Sequence, residues 1–402
     1  MAWRSAASLT WPAVPAKGKK GKEPPRAERR REEGTPRDLP AGAGTRQDRP
    51  EHGSGADDAA RGRNRYEANN PRGDGVDGAK TEKVLLSSTN PLVFGGQANL
   101  DAAKVWIKEN FGVDVDLNFT NGGPFGIIGA KISTEFRANQ PSSVDVWTAG
   151  IAQYDPLLKL NMFTEVPWQK LWPERIVPQQ IGADGYSLGI STGTPGVLYN
   201  VASGADFAQI KAIDDLLKPQ YKGRFGTTAF VNGFDAMSAK GWEGEAKMAD
   251  YIPKLGRQAQ GILNCGGQDR VASGEFQALV LDCTGGYPNI DAYRGKLALA
   301  VPADSAQLQY YEILIPKNAQ HPNAAILFGL YLMTEQGQRG IYNGGGIDLD
   351  YFPETSMHKF VADNEAKGIH FHRIDYKFWK DNPGIDASNA KLTKALKDAM
   401  GG

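Results

Sequence analysis

The sequence lacks the features that mark several large classes of protein. It contains no uninterrupted run of 18 apolar residues, so no transmembrane helix is predicted. Lysine plus arginine and aspartate plus glutamate each number 46, which gives a net charge of zero. A nucleic-acid-binding protein usually carries a basic surplus, and the charge balance therefore argues against that class.

Cysteine is also scarce. The chain has two, Cys265 and Cys283, which lie 18 positions apart and belong to no CxxC pair. They are either buried free thiols or one disulfide formed in an oxidising compartment.

The first 83 residues contain almost no apolar side chains. Their only Leu, Ile, Val or Phe residues are Leu9, Val14, Leu39 and Val76, while 18 basic and 13 acidic residues give a surplus of +5. Ordering a residue costs roughly 1–2 kcal/mol of backbone entropy, which so little burial does not offset. We interpret residues 1–83 as a disordered leader, and a nucleic-acid or membrane tail is the alternative.

No export signal is evident in this leader. The stretch 6–16 (AASLTWPAVPA) has small residues but two prolines, whereas a signal peptide needs an apolar core. Arg29–Arg31 precede acidic residues, which does not fit a twin-arginine signal. The start codon is therefore doubtful, and the native start is expected nearer to Lys83.

From Val84 onward, strand and helix patterns alternate. Val84–Leu86 is a short apolar strand, residues 113–119 alternate apolar with polar side chains, and Val144–Trp147 is a third strand. A helical pattern follows each one, which predicts an α/β fold with a parallel sheet and right-handed crossovers. The carboxyl ends of such strands meet at one edge, where open α/β sheets bind small ligands. The polar loops expected there are 87–90, 120–124 and 148–150.

A second set of strands begins near Gly196. Pro322 then begins a nearly all-apolar helix, Ala324–Met333, and a helix that is apolar on all sides is predicted to be buried in a core. Two α/β lobes with facing polar loops indicate a cleft that closes by a hinge. The strands predicted in the second set are 196–200, 224–230, 276–281 and 297–301.

Three short motifs give little support for chemistry. Gly185–Gly189 (GYSLG) fits Gly-x-Ser-x-Gly, but the residues that follow cannot form the helix that a nucleophile requires, so Ser187 is interpreted as a strand residue. His370 and His372 share one face of a predicted strand, yet no nearby Cys or His completes a zinc site. Gly344–Gly346 lacks the lysine of a phosphate-binding loop and predicts a turn.

Five stretches, in order, resemble the type 2 periplasmic solute-binding proteins of bacterial ABC importers, the cluster that includes the ferric-iron-binding proteins. The resemblance runs from Lys83 to Tyr342, and its most specific stretch is DDLLKPQYKGRFG. The five are VLLSSTNP at 84–91, VDVW at 144–147, GVLYN at 196–200, DDLLKPQYKGRFG at 214–226 and ILIPKNAQHPNAAILFGLYLMTEQGQ at 313–338.

The resemblance implies a two-lobed fold with a ligand cleft at the hinge, each lobe a mostly parallel sheet with flanking helices. It implies a monomeric, periplasmic, non-enzymatic protein without a cofactor, which delivers its solute to an ABC permease and ATPase complex at the inner membrane. It also favours a Cys265–Cys283 disulfide. The expected boundaries are 1–83 for the leader, 84–195 for the first part of lobe 1, 196–304 for lobe 2, and 305–402 for the return to lobe 1 and the C-terminal helices.

The expected ligand is ferric iron or a small organic or phosphorylated anion. Ferric-binding members hold iron with adjacent tyrosines, whereas the corresponding loop here, Asp282–Tyr287 (DCTGGY), has only one. Tyr310 and Tyr311 fall in a strand that points them to opposite faces. This favours an anion held by hydroxyls and backbone N–H groups. The expected ligand-binding residues are Ser88, Asn90, Asn121, Gly122, Thr148, Asn232, Thr284 and Tyr287.

Two other functions fit the same fold. One is an α/β hydrolase-like enzyme that uses Ser187 as its catalyst. The other is a ligand-sensing adaptor whose cleft serves a receptor instead of a permease.

Overall fold

The structure is a computed structural model that describes residues 74–89 and 91–401. Most of the predicted leader, residues 1–73, and the predicted ligand residue Asn90 lie outside these residues. Within them the chain alternates helices with strands, so the predicted α/β class is confirmed. No helix in this part of the chain has both the length and the apolar composition that a bilayer requires.

The elements are numbered in chain order. The α-helices are α1 (Asp74–Glu82), α2 (Gln97–Phe111), α3 (Phe125–Arg137), α4 (Ile151–Leu158), α5 (Trp168–Leu171), α6 (Phe234–Met237), α7 (Glu245–Gln258), α8 (Gln268–Ala272), α9 (Pro322–Leu332), α10 (Glu335–Gly345), α11 (Ser356–Glu365), α12 (Tyr376–Asp381) and α13 (Ile385–Ala399). The strands are β1 (Val84–Ser87), β2 (Asp116–Phe119), β3 (Trp147–Ala149), β4 (Ile181–Gly182), β5 (Ser187–Gly193), β6 (Val197–Asn200), β7 (Phe225–Thr227), β8 (Gly261–Ile262), β9 (Ala278–Val280), β10 (Leu297–Ala300), β11 (Gln307–Leu314) and β12 (His372–Ile374). Short 3₁₀ helices occupy Pro91–Phe94, Pro178–Gln180, Ala183–Gly185, Ala205–Gln209, Ile213–Leu217, Pro219–Tyr221 and Tyr287–Asn289.

Helix α1 precedes the predicted start of the fold at Val84. The prediction of a disordered leader is therefore wrong for residues 74–83, because α1 packs against α9 and buries Ala79 completely. Glu82 accepts hydrogen bonds from the Ala324 N–H at 2.8 Å and from the Asn323 side-chain amide at 2.7 Å. It thereby caps α9, whose first N–H groups have no partner inside the helix.

The first elements pair as the sequence patterns predicted. Strands β1 and β2 are parallel, with Val84 opposite Asp116. Buried and exposed residues alternate from Val113 to Asn118, because one face of a strand covers the core. Helix α2 ends at Gly112, whose φ of 69° is the left-handed conformation that glycine adopts most easily.

Sheet 1 consists of β3, β4, β5, β11 and β12. Strand β11 pairs with three of them, parallel to β12 and antiparallel to β3 and β5, and β4 pairs antiparallel with β5. The sheet is thus more mixed than predicted. Between β5 and β11 the chain forms another five-stranded sheet, described next. Such a long connection does not impose the parallel direction that a short strand–helix–strand crossover does.

Sheet 2 has the strand order β10-β6-β9-β7-β8. Its strands all come from residues 197–300, and β7 is parallel to β8 and β9 while β6 is antiparallel to β9 and β10. The core on one side of this sheet includes Phe225, Val280 and Ile252. The last helix joins that core, since Leu392 and Leu396 of α13 are buried in it.

A buried aspartate joins β1 and the segment before β3 to the start of α9. The side chain of Asp145 is fully buried. Its Oδ1 accepts from the N–H groups of Gln320 at 2.8 Å and His321 at 2.9 Å. Its Oδ2 accepts from the Leu86 N–H at 2.8 Å and lies 2.7 Å from His321 Nδ1. Several donors at once are what a carboxylate needs to tolerate burial.

Replacing Asp145 with alanine is expected to destabilise the protein by about 3–5 kcal/mol, because its buried donors lose their shared acceptor. Urea unfolding measures the loss. The matched control is Asp114→Ala, whose partner is Lys108 and whose side chain is 76% exposed; it is expected to cost at most about 1 kcal/mol. Equal effects of the two substitutions contradict the prediction.

Candidate functional site

The loops after β1 and β2 lie against each other. The Gly122 N–H donates to the Ser88 carbonyl at 2.6 Å, and the Thr120 N–H donates to the Ser87 carbonyl at 2.9 Å. A Cβ at position 122 would lie 2.6 Å from Ser88 Cβ, so this approach requires glycine. Asn121 is exposed, and α3 starts just beyond this loop. The structure therefore brings Ser88, Asn121 and Gly122 together.

Thr148 occupies β3 beside this pair of loops. Its side chain is fully buried, and its Oγ1 has no hydrogen-bond partner among the described residues. Thr148 pairs with Ile313, so its side chain shares a face of sheet 1 with that of Tyr311, two residues along β11. A buried hydroxyl without a partner costs free energy, which makes Thr148 a candidate for contact with a ligand.

The second predicted cluster is the loop Asp282–Tyr287, called the ligand loop below. Asp282 is fully buried and accepts hydrogen bonds from the N–H groups of Gly285 at 2.8 Å, Gly196 at 3.2 Å and Thr284 at 3.3 Å. Burial raises the pKa of Asp282 to about 6, although the three donors act in the opposite direction. One carboxylate thus holds both the loop and the entry to β6.

Asn232 and Thr284 help to hold this loop. The Asn232 amide donates to the carbonyls of Leu281 and Asp282, each at 3.2 Å. Thr284 Oγ1 accepts from the Gly286 N–H at 3.1 Å. Asn232 itself is positioned by α13, because Thr393 Oγ1 accepts the N–H of the neighbouring Val231 at 3.4 Å. Asn232 and Thr284, both predicted from the sequence to bind the ligand, are therefore close together, and each uses some of its hydrogen bonds to hold the loop.

Cys265 and Cys283 are disulfide-bonded, with 5.6 Å between their Cα atoms. The bond ties the ligand loop to the segment before α8. Tyr287, at the end of the loop, is partly buried and packs edge-to-face on Tyr293 at a centroid distance of 6.3 Å. Burial raises the pKa of Tyr287 above its usual value, so its hydroxyl stays protonated and can donate a hydrogen bond.

Tyr311 connects the two groups of loops, and the sequence analysis did not include it in the site. Its hydroxyl donates to the Cys283 carbonyl at 2.7 Å, and its ring lies 6.2 Å from that of Phe125 at the start of α3. Next to it, the Thr194 N–H donates to the Thr284 carbonyl at 2.9 Å. The start of α3, which follows the loop after β2, and the ligand loop therefore both contact Tyr311.

Two further buried hydroxyls lie in this meeting region. Ser191 is opposite Tyr311 in the β5–β11 ladder, and Thr194 contacts the ligand loop. Ser191 Oγ and Thr194 Oγ1 have no hydrogen-bond partner in the described part of the chain. The serine and threonine run 191–194 (STGT) was the signal that could have identified them.

Tyr310 and Tyr311 point to opposite faces of sheet 1, as strand alternation predicted. Tyr311 reaches the ligand loop, whereas the Tyr310 hydroxyl accepts from Arg373 Nη1 at 2.8 Å. Ser187 is the first residue of β5 and is fully buried, and its hydroxyl donates to Glu312. It is therefore a strand residue, as predicted, with a carboxylate partner and no turn into a helix.

The remaining motifs have structural roles. His372 lies in β12 and stacks on Trp242 at a centroid distance of 4.0 Å. Among residues 74–89 and 91–401, no group of three or more His, Cys, Asp and Glu side chains is placed to hold a metal ion. Gly346 ends α10 with a φ of 72°. The turn predicted for Gly344–Gly346 is therefore confirmed at Gly346 and wrong at Gly344 and Gly345, which belong to α10.

Comparison with known proteins identifies a family for most of the folded chain. Residues 103–365 match the family model described as bacterial extracellular solute-binding protein. No curated protein matches the sequence.

Solved structures share the fold at low sequence identity. The substrate-binding protein of an ABC transporter from Agrobacterium tumefaciens is 17% identical with a TM-score of 0.61, over 79% of this chain and 93% of that one. A ferric-binding protein from Campylobacter jejuni is 14% identical with a TM-score of 0.59, over 79% and 98%. The periplasmic binding protein AfuA from Actinobacillus pleuropneumoniae, with fructose-6-phosphate bound, is 16% identical with a TM-score of 0.56, over 79% and 98%. The two-lobed type 2 fold of periplasmic binding proteins is thereby confirmed.

Reduction of the Cys265–Cys283 bond is expected to lower the free energy of unfolding by about 3 kcal/mol, the chain-entropy value for closing a loop of this length. Chemical denaturation with and without dithiothreitol measures the difference. The control is the double variant Cys265→Ala/Cys283→Ala, which the reductant should leave unchanged. Equal stability of the oxidised and reduced wild-type protein contradicts the expectation.

Asp282 is expected to make stability fall as pH rises from about 4 to about 6. Its pKa is higher in the folded state than in the unfolded state, so its contribution is complete below the unfolded value of 3.8 and is lost as pH passes about 6. Asp282→Asn removes this titration. The free energy of unfolding of the variant minus that of wild type should therefore rise by about 3 kcal/mol between pH 4 and pH 7; a constant difference contradicts this cause.

Proposed function

The chain belongs to the bacterial extracellular solute-binding proteins, and we propose that it captures a small solute between two lobes and delivers it to the permease and ATPase of an ABC importer in the inner membrane. It acts in the periplasm as a monomer, without catalysis and without a cofactor. In this proposal lobe 1 is built on α1 and residues 84–195 and 305–384, and lobe 2 on residues 196–304 together with α13. The expected assignment of the last helix to lobe 1 is wrong, because Leu392 and Leu396 of α13 are buried in the core of sheet 2.

The observation that carries this proposal is the meeting of loops from both sheets around unpartnered hydroxyls. Tyr311 of β11 donates to the ligand loop at Cys283, and Thr148, Ser191 and Thr194 each bury a hydroxyl that has no partner in the described chain. Buried polar groups are normally satisfied. A bound solute supplies the missing partners and stabilises the closed arrangement of the lobes, which the permease then recognises.

We further propose that the solute is a small organic or phosphorylated anion. Hydroxyls and backbone N–H groups near the starts of α3 and α4 donate hydrogen bonds to anionic oxygens. The Asp282 carboxylate is committed to backbone donors, and the ligand loop supplies a single tyrosine, Tyr287. Ferric iron requires several anionic oxygen ligands and is the second candidate.

Hydrolysis by Ser187 remains a rival that the same experiments address. The Ser187 hydroxyl donates to the buried Glu312 carboxylate, which also accepts from Tyr154 at 3.0 Å. A nucleophilic serine needs an exposed hydroxyl on a sharp turn between strand and helix. The arrangement around Ser187 instead fits an internal link of sheet 1.

A thermal-shift screen of ferric salts, phosphorylated sugars, phosphonates, polyamines and thiamine tests the function. One phosphorylated or organic anion should raise the melting temperature in proportion to the logarithm of its concentration over Kd. Stabilisation by ferric salts alone rejects the anion and keeps the binding function. No stabilisation, together with ester or phosphate hydrolysis that Ser187→Ala abolishes, rejects the binding function.

Substitution of the unpartnered hydroxyls identifies the site. Thr148→Val and Ser191→Ala remove no internal hydrogen bond among the described residues, so the free protein should keep its stability. Each should weaken binding of the stabilising compound about tenfold or more, because a ligand hydrogen bond is lost. Thr134→Val, at an exposed position of α3, is the matched control for titration calorimetry. Unchanged affinity in both site variants contradicts the proposed site.

A further inference from the structure

A cavity of about 260 Å³ lies beside sheet 1, away from the ligand loop. Strand β11 contributes Tyr310 and Glu312 to its wall, and these side chains face away from Tyr311 because neighbours in a strand point to opposite faces. None of the residues predicted from the sequence to bind the solute lines this cavity. The polar and aromatic residues of its wall are Gln179, Gln180, Tyr310, Glu312, Asp375, Tyr376 and Lys377.

Glu312 is the buried charge of this cavity. Only 4% of the surface of Glu312 is exposed to solvent. The hydroxyls of Tyr154 and Ser187 both donate to Oε2 of its carboxylate, which leaves Oε1 for a group inside the cavity. A side chain at position 182 would place its Cβ too close to Glu312 Oε2 and to the hydroxyls of Ser187 and Tyr154. Glycine at this position therefore allows these three side chains to contact one another.

Asp375 is a second carboxylate in the same wall. Its Oδ1 accepts the Phe378 N–H at 2.8 Å and thereby caps α12. Burial raises the pKa of Glu312 to about 7, and the charge of Asp375, which lines the same cavity, acts in the same direction. Lys377, a cation that also lines the cavity, is paired with Asp381, and Glu312 has no ion pair with a residue of the described part of the chain.

The remaining walls of the cavity are suited to contact with the carbon atoms of a ligand. Tyr310 and Tyr376 contribute aromatic rings, and Gly182, Gly189 and Ile181 contribute backbone and apolar surface. The Lys380 ammonium already lies 5.2 Å from the centroid of the Tyr376 ring, and Tyr310 is stacked on Tyr351, so the two rings supply apolar contact for the carbon atoms of an occupant. The volume is below the roughly 300 Å³ at which sites for drug-sized ligands begin, so the occupant has to be small.

We propose that this cavity is a binding site for a small organic ammonium ion, separate from the solute cleft. The ammonium group lies between Glu312 and Asp375, and its carbon atoms lie against the tyrosine rings. A cation there supplies the partner that a buried carboxylate requires. The proposal does not depend on the identity of the solute or on the proposed transport function.

Titration calorimetry on the full chain, with ethanolamine and choline as probes at pH 8, tests this site. The neutral analogues ethylene glycol and 3,3-dimethylbutan-1-ol serve as controls for shape without charge. One ammonium probe is expected to bind with one molecule per chain, and its neutral analogue at least tenfold more weakly. Absence of binding by both ammonium probes, or equal binding of the neutral analogues, overturns the proposal.

Variants locate the site. Glu312→Gln retains the size and acceptor oxygen of the side chain, and Asp375→Asn retains a residue that caps helices well; each should weaken binding at least tenfold. Glu365→Gln, at an exposed position of α11, should have no effect. Circular dichroism and the melting temperature establish that each variant is folded. If Glu312→Gln fails to fold, Asp375→Asn alone decides the outcome, and unchanged affinity in a folded Asp375→Asn overturns the proposal.

The pH dependence gives an independent readout. Tyr154 of α4 and Asp375 act directly on Glu312. The other titratable or charged groups around the cavity are Tyr376 and Lys377 of α12 and Tyr310 of β11, whose hydroxyl accepts from Arg373. Because the pKa of Glu312 is about 7, the carboxylate is mostly neutral at pH 6 and mostly ionised at pH 8. Affinity for the ammonium probe should rise about tenfold over this range. Loss of binding in Thr148→Val, with full binding in Glu312→Gln, assigns the probe to the solute cleft and overturns the proposal.

Discussion

The alternation of side chains along β11 is the constraint on which both proposed sites depend. Successive residues of a strand point to opposite faces, so Tyr311 reaches the ligand loop while Tyr310 and Glu312 line the cavity beside sheet 1. The same strand pairs with β3, β5 and β12, which fixes its register against a one-residue slip. Such a slip would exchange the two faces and remove the functional groups of both.

The ligand loop is held by bonds that leave its outer atoms available. Asp282 binds three backbone N–H groups, Asn232 binds two carbonyls, and the Cys265–Cys283 bond anchors the middle of the loop. A loop that is already rigid loses little conformational entropy when a solute binds. The hydroxyls at Thr148 and Ser191 are likewise held in strands, so the proposed binding is expected to need little local ordering of these residues.

Contacts between distant parts of the chain position these elements. Asp145 connects β1 to the start of α9, and Glu82 of α1 caps the same helix. At the other end of the chain, α13 returns to the core of sheet 2 and supports Val231 beside Asn232. Each of these contacts uses a buried or partly buried polar group, and the loss of one partner therefore costs more than the loss of an exposed ion pair.

The sequence by itself determined the α/β class, the paired strands β1 and β2, the buried helix α9, the opposite orientations of Tyr310 and Tyr311, and, through resemblance to a family, the disulfide. These follow from periodicity and motifs that span only a few residues. Tertiary structure alone decided that α1 belongs to the fold, that sheet 1 is mixed, that Tyr311 joins the two groups of loops, and that Glu312 faces a cavity. Those features depend on pairs such as Tyr311 and Cys283 or Glu82 and Ala324, which lie far apart in the chain. No local pattern encodes such pairs, because they form only when the whole core packs.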